Sequence, residues 1–197
     1  MSKQYFENNP ELSSKPFYIS FYFRKNNLKF KSDNGVFSKK AVDFGSSLLL
    51  KSVEVLENDS ILDVGCGIGI IGITLAKCNP SSFVEMIDVN KRAMELARNN
   101  CLENNVKNAL VFESDTYENV EKKYSLIISN PPIRAGKKVV HDILLNSIKY
   151  LKENGRMYCV IQKKQGAESA LKALKEVFPK VEVIEKDNGY YIIKCTK

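Results

Sequence analysis

Histidine is nearly absent from this chain: His141 is the only one among 197 residues. Cysteine occurs five times, at 66, 78, 101, 159 and 195, but no two form a C-x-x-C pair. A structural zinc site needs thiolates and imidazoles at short, regular spacing, so no metal is expected. An odd cysteine count without a framework argues for reduced thiols and a cytoplasmic location rather than a disulfide scaffold. No apolar run approaches the roughly 20 residues of a membrane span. The opening stretch, MSKQYFENNPELSSKPF, has no apolar segment, so no signal peptide and no membrane partner are expected. Repeats and low-complexity segments are lacking too.

What is present is an ordinary globular composition, 44% hydrophobic and 27% charged, long enough for one sizeable core. One domain over 1–197 is the expectation, with a basic, aromatic extension at 1–40 and a core at 41–197. Net charge is +7, unevenly spread. Residues 1–51 carry nine Lys/Arg against four Asp/Glu, residues 52–133 seven against twelve, and residues 134–197 fourteen against seven. Basic ends around an acidic middle point to an anionic partner; the alternative is solvated surface charge.

KPFYISFYFRKNNLKFKS reads as a β-hairpin with its turn near Lys25-Asn26-Asn27. Val42, Leu48, Leu49 and Val53 have helical spacing. From Ser60 onward apolar strands (SILDV, FVEMIDV, ALVFE, YSLIIS, RMYCVIQ) alternate with helices expected at 69–77, 90–104, 138–152 and 165–177. In the second of these, Ala93, Leu96, Ala97 and Leu102 lie near one face. Such alternation means a parallel sheet covered on both faces. KVEVIEK and YYIIKC are separated only by Asp187-Asn188-Gly189, a connection that makes them antiparallel. The expected fold is α/β and Rossmann-like: a mostly parallel seven-stranded sheet with one antiparallel strand, helices on both faces, and an N-terminal hairpin.

ILDVGCGIGIIG follows the first strand of this alternation and opens a helix. Gly65, Gly67 and Gly69 let the backbone turn and approach a ligand. From Gly67 the run also fits G-x-G-x-x-G, a dinucleotide pattern of little weight alone. Asp63 stands before the first glycine. A carboxylate there would oppose a pyrophosphate but suit the ammonium of a methionine moiety. Asp88 ends the next strand, where an acid can accept from ribose hydroxyls, and Asp115 follows the third. Each has a plainer reading, as a helix-dipole partner, an N-cap and a turn residue respectively. Three acids at consecutive strand ends nonetheless fall where open α/β sheets bind ligands.

The fourth strand runs into SNPPI. Proline cannot donate to a ladder, so the strand stops, and Asn130 and Pro131, each before a proline, are held extended. A stiff segment with fixed acceptors could merely close the strand. It could also hold an exocyclic amine by its two N–H groups, through the Asn130 side-chain oxygen and the Pro131 carbonyl, and free the nitrogen lone pair to attack.

These segments resemble class I methyltransferases dependent on S-adenosylmethionine (SAM). More narrowly, residues 28–197 resemble the RsmC-like methyltransferase small domain family, which includes ribosomal RNA guanine-N2 methyltransferases. The resemblance rests on GVFS at 35–38, VDFGSSLLL at 42–50, DVGCGIG and SNPPI. It implies that Asp63, Gly65 and Gly67 hold the methionine end of SAM, Asp88 the ribose and Asp115 the adenine region, with Cys66, Gly69 and Val89 also among the cofactor-binding residues. Asn130, Pro131, Pro132 and Ile133 would form the catalytic segment, Asn130 also touching the cofactor, with Phe37 and Ser38 near the site. RsmC-type enzymes are often longer, with a second methyltransferase-like domain. Position 133 is Ile where many N-methyltransferases carry a stacking Tyr or Phe, which turns the expectation away from DNA adenine; stacking would then fall to Phe37.

Cations interleave with rings in the hairpin, and Arg134 and Lys137 follow the SNPPI segment, an arrangement suited to RNA. The expected function is transfer of a methyl group from SAM to a base amine, guanine N2 of ribosomal RNA first. The alternatives are DNA adenine N6, a protein glutamine amide, a non-catalytic SAM-binding assembly factor, and an NAD-dependent oxidoreductase. The sequence is silent on oligomeric state.

Overall fold

The computed structural model describes residues 13–37 and 41–197. Strand periodicity sorts the hairpin into two faces. β1 (Phe17–Phe23) pairs antiparallel with β2 (Asn26–Ser32). Ile19, Phe23, Leu28 and Phe30 enter the core, while Tyr18, Tyr22 and Lys29 face outward. The turn is Arg24-Lys25, one step before the expected position, and both residues have positive φ (43° and 65°). A two-residue loop of type I′ needs φ > 0 at both positions, and its twist matches that of the strands. Asparagine is the usual choice, but Asn26 instead begins β2 and donates to the Arg24 carbonyl at 3.1 Å. Burial of Phe23 and Leu28 on one face sets the register that puts the cations in the turn.

α1 (Phe44–Ser52) comes next, capped by Asp43, whose Oδ1 accepts from the Ser46 N–H at 3.0 Å. Then strand and helix alternate: β3 (Ser60–Val64), α2 (Ile70–Cys78), β4 (Phe83–Asp88), α3 (Lys91–Glu103), β5 (Ala109–Glu113), β6 (Tyr124–Ser129), α4 (Lys137–Tyr150), β7 (Leu151–Gln162), α5 (Ala167–Lys175). β8 (Lys180–Asp187) and β9 (Tyr190–Thr196) close the chain as a hairpin. The sheet order is β5-β4-β3-β6-β7-β9-β8, with β9 alone antiparallel to its neighbours. This is the expected Rossmann-like sheet. Alternate side chains divide the core in two. Ile61, Leu126, Ile128 and Val160 pack with α1, α2, α3 and the β1-β2 hairpin. Leu62, Ile127, Cys159 and Ile161 pack with α4 and α5.

Two further expectations need correcting. Leu102 in α3 is 75% exposed, and Asn100 and Cys101 take the buried face instead. Leu151, assigned to the preceding helix by its periodicity, opens β7 opposite Tyr124. Pairing then breaks and resumes at Leu126 opposite Arg156, with Asn154 left-handed (φ 59°) inside the bulge.

Asn100 explains how the hairpin is attached. Its Oδ1 accepts from the Lys31 N–H at 2.7 Å and its Nδ2 donates to the Lys31 carbonyl at 3.1 Å. One helical turn on, Asn104 does the same to Lys29, at 2.9 and 2.8 Å. Four helical residues rise about 6 Å and two strand residues about 6.7 Å, so two side-chain amides imitate a neighbouring strand along the edge of β2. That edge would otherwise bury unpaired backbone groups.

Candidate active site

The C-terminal ends of β3, β4, β5 and β6 open on one cavity of about 510 Å³. That volume is typical of a small-molecule site, and the crevice beyond the strand ends is where such sheets bind ligands. Its floor is the loop between β3 and α2. Gly65 and Cys66 both donate to the Ile87 carbonyl at 2.9 Å, which pins the loop to β4. Gly67 has φ +55° and open space where a side chain would stand, so its backbone is bare to the cavity. Gly72 does a different task. A Cβ there would sit 2.5 Å from the Met86 side chain and 3.1 Å from Asp63 Oδ2, so only glycine lets α2 close onto the sheet.

Asp63 lies behind this loop rather than among the lining residues. Its Oδ2 accepts from the Gly72 N–H at 2.9 Å, while Oδ1 is buried with no partner among the described residues. Burial pushes this carboxyl up to about 7, the Gly72 bond opposing the shift and the nearby Asp88 reinforcing it. Asp88 faces the cavity. Its Oδ2 accepts from the Gly67 N–H and its Oδ1 from the Asn90 N–H, both at 2.8 Å. Burial raises its carboxyl, and the hydrogen bonds from Asn90, Gly67 and Val89 act against that. The N-cap of α3 is Asn90, not Asp88. Burial also lifts the Cys66 thiol well above its ordinary value, so it lines the site as an apolar, protonated group. Val89, Ser114, Asp115 and Thr116 complete that end; Asp115 is exposed at the rim.

At the other end stand Asn130, Pro131 and Pro132. Ser129 Oγ donates to the Val64 carbonyl at 2.8 Å, tying the end of β6 to β3 beside the glycine loop. Asn130 Nδ2 donates to Ser46 Oγ at 2.9 Å and to Asp43 Oδ1 at 3.2 Å. The Pro132 carbonyl accepts from Ala135 at 2.9 Å in the 3-10 turn Ile133–Ala135. The Pro131 carbonyl and Asn130 Oδ1 accept from no group among the described residues. Ile133 is half-buried against the α4 and α5 core rather than in the cavity wall. Phe37 lines the cavity at 42% exposure. Ser38 lies outside the described residues. Arg134 and Lys137 are exposed beyond the lip, outside the cavity wall. Sequence reasoning passed over Ser46, Ile68, Ala135, Val139 and Ile143, all of which line the site. Ser46 lay in plain view in the GSSLLL segment, but only the fold brings it to Asn130.

Comparison with known proteins then decides the family. The model of the methyltransferase small domain matches residues 27–194. The chain belongs to the methyltransferase small domain family. Its similarity runs end to end with the "Uncharacterized protein YbxB" of Bacillus subtilis (strain 168), 48% identical over 200 residues and covering all of both chains. The ribosomal RNA small subunit methyltransferase C of Buchnera aphidicola subsp. Schizaphis graminum is 35% identical over 173 residues, 86% of this chain and 50% of that one. Among solved structures, the Thermus thermophilus 16S rRNA N2 G1207 methyltransferase (RsmC), in complex with AdoMet and guanosine, superposes with TM-score 0.85 at 22% identity. That match covers 95% of this chain and 52% of that one. This methyltransferase thus spans about half the length of the methyltransferase C relatives it matches.

Family membership makes it a SAM-dependent methyltransferase, and the residues fit that cofactor. Asp63 Oδ1 is an orphaned acceptor beside the glycine loop, of the sign an ammonium needs. Gly67 offers bare backbone, and Asp88 keeps acceptor capacity for a hydroxyl beside its backbone bonds. Among the described residues no cluster of His, Cys, Asp and Glu could hold a metal ion, and no helix is long and apolar enough to cross a membrane.

Proposed function

We propose that this methyltransferase acts on an exocyclic base amine, guanine N2 of ribosomal RNA being the target that fits best. The observation that carries the reading is the pair of open acceptors, the Pro131 carbonyl and Asn130 Oδ1, at the end of the cavity next to the glycine loop. A conjugated amine is a poor nucleophile because its lone pair is delocalised into the ring. Two acceptors that take its two N–H groups orient it and favour a pyramidal nitrogen. SAM supplies a methyl group on a sulfonium, whose sulfur keeps the bonding electron pair as the carbon passes to nitrogen. The amine then sheds one proton to solvent. No strong base is required, so fixed dipoles and positioning carry the rate.

Asp63, Gly65, Cys66, Gly67 and Gly69 form or back the methionine end, Asp88 and Val89 the ribose position, and Ser114, Asp115 and Thr116 the adenine end. Phe37 is the ring placed to stack on a base in the cavity. Arg134 and Lys137 meet the RNA backbone outside the lip. The names of the relatives support ribosomal RNA as substrate, and a ribosomal substrate is met in the cytoplasm. The test is transfer of labelled methyl to naked ribosomal RNA, isolated subunits, DNA and total protein, followed by nucleoside analysis. Label in one RNA fraction as N2-methylguanosine, lost in Asn130→Ala, is the expected result. Label in DNA or protein instead would move the target to adenine N6 or a glutamine amide.

A further inference from the structure

The amide of Asn130 can face the cavity in two ways. With oxygen inward it accepts; with nitrogen inward it donates and repels an amine. Nothing in Asn130 itself decides between them, since the two ends of an amide have the same size and shape. The decision lies in α1. Ser46 Oγ and Asp43 Oδ1 stand 2.9 and 3.2 Å from Asn130 Nδ2. A carboxylate oxygen only accepts. A flipped amide would set Asn130 Oδ1 against that oxygen, so one orientation is enforced. Asp43 is itself immobile, because the same Oδ1 caps α1 through the Ser46 N–H at 3.0 Å. Ser46 is 5% exposed.

We infer that Asp43 and Ser46 are positioning residues that set the polarity of the site: they lock the Asn130 amide with its oxygen toward the substrate and so select an N–H-bearing nucleophile. This rests on the amine-methylating function proposed above. The site accepts N–H donors because α1 holds both amide protons of Asn130 elsewhere. A bare ring nitrogen or a carbonyl oxygen offers it nothing. The D-x-x-S spacing (Asp43, Ser46) is that of an N-cap and its third helical residue, so the helix cap and the substrate polarity share one carboxylate.

The test reads orientation and turnover separately. Ser46→Ala removes one acceptor while leaving the cap and the helix intact. Its kcat is expected to fall about ten- to a hundredfold, with SAM affinity, KM for RNA and melting temperature close to wild type. Asn130→Asp sets two carboxylates together and is expected to lose activity by more than about a hundredfold. The side-chain amide protons of Asn130, followed by NMR, should exchange slowly in the wild type and quickly in Ser46→Ala. A Ser46→Ala protein with wild-type kcat and unchanged Asn130 amide signals would overturn the inference. A wild-type protein that binds SAM but methylates no amine would overturn the function instead, and the NMR comparison would still decide the orientation.

Discussion

Asp63 shows most plainly how burial sets behaviour at a single residue. Its carboxyl has one partner and one orphaned oxygen, and burial pushes it up to about 7 from 3.8. In the unfolded chain the group loses its proton near the lower value; in the folded protein it keeps that proton until about 7. The raised value therefore contributes stability at pH below about 4, and that contribution is lost as pH rises through about 7. Asp88 is raised as well and acts with the same sign. The ligand-free protein should therefore lose melting temperature between about pH 4 and 7, and Asp63→Asn should flatten part of that slope. A cationic ammonium next to Asp63 favours the ionised form. SAM affinity measured by calorimetry should accordingly rise with pH through about 7 in the wild type and stay level in Asp63→Asn. A slope unchanged by the substitution would mean that Asp63 does not meet the cofactor. The position of Asp63 at a strand end before glycines was legible from the sequence. Its place behind the loop was not, because it follows from how closely α2 approaches the sheet at Gly72.

Among the elements, the attachment of the N-terminal hairpin was the least legible. Rings alternating with polar residues marked β1 and β2, and the inward half of that pattern is core. The two asparagines that hold the hairpin carry no such mark. Asn100 and Asn104 read as polar residues on a helix, and only the matched rise of helix and strand turns them into a ladder. The turn was misplaced for a related reason: Asn26-Asn27 has turn chemistry, but packing of Phe23 and Leu28 fixed the register first. Truncating Asn104 to Ala should strand the Lys29 backbone groups, costing roughly 1–3 kcal/mol and speeding hydrogen exchange at the Lys29 amide. Asn100→Ala should cost at least as much and do one thing more. Asn100 Nδ2 also donates to the Ile68 carbonyl in the glycine loop at 2.9 Å, so SAM affinity should fall in this variant and hold in Asn104→Ala. Equal SAM affinity in both variants would separate the hairpin from the cofactor loop.

At the scale of the whole molecule, charge follows the sheet. The acidic middle of the sequence contributes Asp63, Asp88 and Asp115 to the cavity end of the strands, while the basic C-terminal third begins directly beyond SNPPI. Binding of the RNA substrate proposed above then depends on which cations are free to neutralise phosphates. Lys29, on the outward face of the hairpin, is already engaged: its Nζ lies 3.7 Å from Glu103 and 4.2 Å from the centre of the Tyr18 ring. Arg134 and Lys137 are exposed and form no ion pair among the described residues. Two basic surfaces that look alike in sequence should therefore act differently. Each of Arg134→Ala and Lys137→Ala should reduce the slope of log affinity for RNA against log salt by about 1, leaving SAM affinity unchanged. Lys29→Ala should move it less, because Lys29 is already paired with Glu103 and is not free to neutralise a phosphate. A large slope change for Lys29→Ala would instead place RNA across the hairpin as well as the lip. The bound strand would then run along the β1-β2 face, from the Phe37 end toward the Arg24-Lys25 turn.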